Sequence, residues 1–167
     1  MKNPKLYTYP DPCLRVDTRA VACFSDDIKE IARAMTEIMY SNQGIGLAAT
    51  QIGEDLNMAV VDTGSEIITF VNPEIVSSSD DIDMMEEGCL SVPGVCVNIA
   101  RPVSVEVRAC DINGAPFTGK FSGLTAKAIQ HEIDHLHGKL IIDYLNPFMR
   151  FLSAWKLARK KRTGERL

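Results

Sequence analysis

No apolar run in these 167 residues approaches the roughly 18 that a membrane-spanning helix needs. No internal repeat or low-complexity block is visible. There is no CxxC pair, and the five cysteines are scattered at 13, 23, 89, 96 and 110. An odd, dispersed set of thiols excludes a disulfide framework and fits a reducing, cytoplasmic compartment. The opening "MKNPKLYTYPDP" is polar and broken by proline, unlike the apolar centre of a signal peptide. A net charge of −4 argues against a protein that coats nucleic acid. Histidine is scarce: the chain has three, and all fall in "QHEIDHLHG", residues 130–138.

A hydrophobic content of 46% supports one well-formed core, so a single domain over 1–167 is expected. Charge is uneven along the chain. "DDIDMMEE" (80–87) holds five acids and no base, and "KLARKKRTGERL" (156–167) holds six bases and one acid. Each reads as a solvated face or as a partner-binding segment.

Ile28, Ile31, Ala32, Met35, Ile38 and Met39 recur at helical spacing, which predicts a helix over about 26–41 capped by Ser25 or Asp26. "NMAVVD" (57–62), "IITFVN" (67–72) and "VSVEVRA" (103–109) read as strands. "DINGAPF" then signals a hairpin through Asn113-Gly114. Without crossover helices between them, these strands predict antiparallel or mixed sheets. A helix over about 124–137 carries the histidines and ends at Gly138. A last helix starts at Asn146-Pro147 and bears an apolar stripe of Phe148, Phe151, Leu152 and Trp155. The fold class is α+β: sheets around a central metal-binding helix, with a C-terminal helix.

His131 and His135 stand four residues apart, on one helical face and roughly 6 Å apart along the axis, so both can bind one metal ion. Glu132 is turned about 100° from His131 and borders such a site, where a general base belongs. HExxH alone is a weak signal. Leu124, Ala128 and Ile129 mark the helix as buried, and a buried helix carries His, Glu and Asp only if they have partners. A catalytic metal also needs a third protein ligand. The extended zinc-peptidase pattern asks for histidine at 141, where this chain has Ile141, and the only downstream glutamate is Glu165 in the basic tail. The third ligand must therefore come from upstream, where Cys89 stands in the glycine-flanked turn "EGCLSVPG" (87–94). A thiolate suits a soft or borderline divalent metal, although a lone cysteine is more often a small core residue.

Taken together, "GIGLAATQ" (44–51), "EGCLS" (87–91) and "QHEIDHLHG" (130–138) resemble, in order and separation, the three motifs of the peptide deformylase family. "YPDPCLR" (9–15) is similar to its N-terminal segment, and the short interval from Gln51 to Cys89 resembles its compact type. The resemblance spans essentially the whole chain. It implies removal of the formyl group from formyl-Met polypeptides, releasing formate. It implies a metal held by Cys89, His131 and His135, ferrous iron (Fe2+) with Zn2+, Ni2+ or Co2+ able to substitute. It makes Glu132 the acid/base, and the Gln51 amide and Leu90 N–H the oxyanion donors. The substrate's methionine would sit among Ile45, Met85, Leu90, Leu124 and Ala128, with Gly44 and Gly46 beside the peptide backbone, where glycine permits close approach. Glu87 would pair with Arg101. Two features depart from the family: Cys96 stands where a substrate-touching base is common, and Lys127 sits among apolar positions, from which it is expected to snorkel to the pocket mouth. Arg159, Lys160, Lys161 and Arg162 suit a helix C-terminus. By the resemblance they could also dock the chain on ribosomal RNA. The expected protein is a monomer without membrane association, in a cytoplasm or in an organelle or host cytoplasm. A metallopeptidase and a structural metal protein remain the competing readings at this point.

Overall fold

The computed structural model describes residues 4–163. Helix α1, Asp26–Ser41, forms where the apolar spacing predicts it. Ile28, Ile31, Ala32, Met35 and Met39 face a core with Leu47, Met58, Val60 and Val71. Ser25 occupies the cap position, but its side chain makes no cap hydrogen bond. Its backbone carbonyl accepts from Ile28 N–H at 3.1 Å instead.

Five strands form one sheet in the order β1 (Gly46–Ala48), β2 (Met58–Asp62), β3 (Ile67–Ser78), β6 (Ser104–Cys110), β7 (Pro116–Ser122). Two more, β4 (Ile82–Gly88) and β5 (Cys96–Pro102), pair separately. Every ladder between these strands is antiparallel. The hairpin expected at Asn113-Gly114 joins β6 to β7. Asp111 Oδ1 accepts there from the N–H of Asn113 and of Ala115, each at 2.8 Å.

β1, β4 and β5 were not among the strands expected from sequence, and β7 was implied only as the second arm of the hairpin. For β4 the physical reason is plain. Its residues on the α2 side are Asp83, Met85 and Glu87, of which only the charged Glu87 is buried, so no apolar alternation marks the strand. The acid block at 80–87 is therefore only partly a solvated face, because Glu87 is buried.

Helix α2, Gly123–Leu136, touches strands of both sheets: β1, β2, β6 and β7 of the larger, β5 of the smaller. Ala126, Ala128 and Ile129 pack against Val61, Phe70, Val105, Val107 and Ala109. This is the central helix the sequence predicts. Leu124 departs from the expected burial: it is exposed in the first turn. The helix ends on Gly138, whose φ of +66° is the left-handed conformation that glycine adopts without strain.

A 3₁₀ turn, Ile141–Tyr144, leads to α3, Pro147–Thr163. Asn146 Oδ1 accepts from Met149 N–H at 2.9 Å, the expected cap. Asp143 holds the root of α3: it pairs with Arg15, and with Arg150 at 2.9 Å. The apolar stripe of α3 faces outward, with Phe148, Phe151 and Trp155 exposed and Leu152 half-buried. The side chains of Lys160, Lys161 and Arg162 lie outside the described residues. Among the described residues no helix is long and apolar enough to cross a membrane.

Candidate metal centre

The four-residue spacing on α2 sets the His131 and His135 rings 5.0 Å apart. Cys89 follows β4 in a turn closed by Val92 N–H donating to Cys89 O at 3.0 Å. That turn brings Cys89 Sγ to 3.1 Å from His135 Nε2. One sulfur and two imidazole nitrogens thus lie within 4.8 Å of one another. The set fits a soft or borderline divalent cation, and three protein ligands leave room for water or substrate.

The surroundings orient this set. His131 Nδ1 lies 2.9 Å from Glu87 Oε2, which leaves Nε2 for the centre. Arg101 holds Glu87 in a fork, Nε to Oε1 at 2.5 Å and Nη2 to Oε2 at 2.9 Å. Its Nη1 also reaches Asp134 Oδ2 at 3.0 Å. Tyr144 closes the group by donating to Asp134 at 2.7 Å. Burial pushes the Glu87 carboxyl up, but the hydrogen bonds of His131 and Arg101 and the charge of Arg101 outweigh it and hold the group down at about 2. The two histidines diverge. Burial and its cationic neighbours hold His135 well below the usual imidazole range. For His131, burial is outweighed by bonds to Cys89 and Glu87, which hold it well above.

Glu132 is buried, and burial raises its carboxyl to about 7 against the pull of His131 and Arg101. A carboxyl poised near neutrality can both take and return a proton. Its Oε2 has no hydrogen-bond partner among the described residues. A buried acceptor left open in a cavity wall is where a further ligand belongs.

Gln51 is fixed at both ends of its amide. Oε1 accepts from Ala48 N–H at 2.8 Å, and Nε2 donates to Ser91 Oγ at 3.0 Å while lying 3.9 Å from Cys89 Sγ. Ser91 in turn donates to Tyr7 O at 2.8 Å. No described residue accepts from the Leu90 N–H.

A cavity of about 440 Å³ opens against these groups. Its lining contains every site residue expected from sequence except His135: Gly44, Ile45, Gly46, Gln51, Met85, Cys89, Leu90, Leu124, Ala128, His131 and Glu132. His135 is buried beside it. Ile45 and Leu124 are exposed, and Cys96 also lines the cavity as an exposed thiol. Lys127 corrects an expectation. It does not snorkel outward but is buried, its Nζ 2.5 Å from Asp83 Oδ2. His137, given no role from sequence, lies outside the site beside Asp17.

Sequence reasoning missed Asp83, Ser91, Asp134 and Tyr144. Asp83 had one available signal, since it shares the strand parity of Met85 and Glu87. Ser91 and Tyr144 had none.

A sequence model described as polypeptide deformylase matches residues 4–151. The chain is 40% identical over 161 residues to a peptide deformylase of Cellvibrio japonicus, covering 95% of each. It is 42% identical over 157 residues to that of Pseudomonas aeruginosa, covering 92% of this chain and 94% of the relative. The crystal structure of a peptide deformylase from Legionella pneumophila is similar with a TM-score of 0.91 at 41% identity, covering 98% of each chain. That of Ehrlichia chaffeensis, solved in complex with actinonin, is similar with a TM-score of 0.91 at 34% identity, covering 97% of this chain and 99% of the other.

Proposed function

The chain belongs to the polypeptide deformylase family, an enzyme that removes the N-terminal formyl group from nascent polypeptides, and we propose which of its residues carry the reaction. Cys89, His131 and His135 hold one divalent metal ion, Fe2+ in the native enzyme, with Zn2+, Ni2+ or Co2+ able to replace it. The observation that carries this reading is the convergence of three ligand atoms within 4.8 Å, bordered by a buried carboxylate. When bound, the ion supplies Lewis-acid chemistry, acidifying water and polarising a carbonyl oxygen.

The chain's own residues do the rest. Glu132 takes a proton as water adds to the formyl carbon. It then returns that proton to the leaving nitrogen as the C–N bond breaks, giving formate and a free amine. The Gln51 Nε2–H and the Leu90 N–H receive the negative charge that develops on the formyl oxygen. Loss of one such donor typically costs about 10²–10³ in rate. The cavity walls at Ile45, Met85, Leu90, Leu124 and Ala128 take the methionine side chain. Gly44 and Gly46 lie along the peptide backbone. Glu87, held by Arg101, orients His131 and so supports the centre from behind.

The protein acts as one domain over 1–167, as a monomer in a cytoplasm, its own or that of an organelle or host. It docks on the ribosome through α3, whose exposed aromatic face adjoins the basic end of the chain. Glu132→Ala should abolish formate release from formyl-Met peptides, a loss of about 10²–10⁴-fold or more, while one metal ion per chain is retained. Undiminished turnover would sink the assigned role. Metal analysis of the same anaerobic preparations should find iron. Full, air-stable activity with zinc alone counts against Fe2+.

A further inference from the structure

Gly46 and Glu132 meet at close range, and a side chain at Gly46 would push the carboxylate aside. A Cβ at Gly46 would fall well inside contact distance of Glu132 Oε1 and 3.0 Å from both its Cγ and Cδ. The position does not use glycine's backbone freedom, because Gly46 is not among the residues of positive φ. What it uses is the missing side chain. Gly46 is fixed in β1 opposite Val61, and Glu132 stands in the interior of α2, so no mobile loop absorbs a collision. Glu132 itself is buried, and its Oε2 has no hydrogen-bond partner among the described residues. Hydrogen bonding at that oxygen therefore does not aim the carboxylate.

We propose that the bare Cα of Gly46 is the seat of the Glu132 carboxylate, so that Gly46 is a positioning residue that aims the acid/base by shape. A peptide-facing glycine explains close approach of a substrate backbone, but it does not require the space beside Glu132 to be empty. At Gly44 a Cβ would crowd one side-chain tip, Leu90 Cδ1 at 2.7 Å, with the next atoms at 3.4 Å, whereas at Gly46 it would crowd Cγ, Cδ and Oε1 of Glu132 together.

The inference rests on the acid/base role of Glu132, and the test separates the two. Gly46→Ala should lower kcat by about 10²-fold, the cost of displacing a catalytic group by roughly 1 Å, with KM little changed. Glu132→Asp withdraws the carboxylate by one methylene and lowers kcat by itself. In that background, Gly46→Ala should cost far less than it does alone, because the collision is gone and the two losses do not add. Metal content and circular dichroism should match the parent chain. A Gly46→Ala chain that folds only in combination with Glu132→Asp supports the seat equally. Additive losses, a loss confined to KM, or failure to fold in both backgrounds overturns it. If Glu132→Gln keeps full activity, the acid/base assignment fails. If Glu132→Gln is inactive and Gly46→Ala is fully active, the seat alone fails.

Discussion

Helices α2 and α3 use their side chains in opposite ways. On α2, Lys127, Gln130, Glu132 and His135 are buried at 5%, 7%, 4% and 1% exposure. On α3, Phe148, Phe151 and Trp155 are 69%, 67% and 49% exposed. Transfer energetics alone would exchange the two helices. Polar burial on α2 is tolerated because the chain supplies partners. Asp83 takes Lys127, and Gln130 donates to the carbonyls of Pro102 and Ala126 at 3.1 and 3.0 Å. Glu87 and Arg101 hold His131 and Asp134. Two buried atoms of α2 remain without a hydrogen-bond partner among the described residues, Glu132 Oε2 and His135 Nδ1, both at the candidate centre. On α3 the reverse holds: nothing described in this chain covers the aromatic face, and exposed apolar patches of this kind mark contacts with something else. One helix is completed from within; the other buries Leu157 with Leu140 and Ile141 but leaves its aromatic face uncovered by any described residue.

The largest test of that contrast is the partner network of α2. Arg101 is buried, sits on β5 and ties Glu87 and Asp134 together. Arg101→Ala leaves the Glu87 charge buried without its main counter-ion, so unfolding free energy should fall by about 3–5 kcal/mol in chemical denaturation. An unchanged denaturation midpoint would mean that α2 does not need its charges paired, and the contrast with α3 would lose its basis.

The same contrast explains what could be read from the sequence. The candidate ligands were legible because helical geometry compresses them into a short spacing, and because a missing histidine at 141 directed attention to Cys89. The central position of α2 followed from its mixture of apolar and ionisable residues. β4 was not legible, because the residues on its α2 side are Asp83, Met85 and Glu87, of which only the charged Glu87 is buried, so the strand has no apolar alternation to detect. The direction of the α3 stripe was not legible either. Periodicity shows which residues share a face, but not whether anything covers that face. The contact of Gly46 with Glu132 depends on the tertiary docking of β1 on α2 and leaves no mark at either position. The glycine had suggested only room for a substrate.

A smaller effect comes from the asymmetry of the Asp83–Lys127 pair. The Lys127 side chain is 6% exposed and that of Asp83 59%. Removing the buried cation leaves a carboxylate that water can solvate, whereas removing the carboxylate leaves a buried ammonium without a counter-ion. Asp83→Ala should therefore lower the denaturation midpoint more than Lys127→Met does. Methionine keeps an apolar stem of similar length at this buried position, so Lys127→Met is neutral or slightly stabilising. The reverse order would show that the pair acts as a surface contact and that α2 is less completed from within than its burial indicates.

The smallest expected effect on stability belongs to α3, and it tests the proposed ribosome contact. Phe148→Ser and Phe151→Ser should each change unfolding free energy by no more than about 0.5 kcal/mol, because neither ring has much apolar contact to lose. Formate release from a free formylated peptide should stay at the parent level, since both residues lie outside the cavity lining. Co-sedimentation with ribosomes should fall, and the remaining binding should weaken steeply with salt if the basic end of the helix contributes through ribosomal RNA. If either substitution instead destabilises the free protein by several kcal/mol, the aromatic face is part of the chain's own core, and α3 is completed from within just as α2 is.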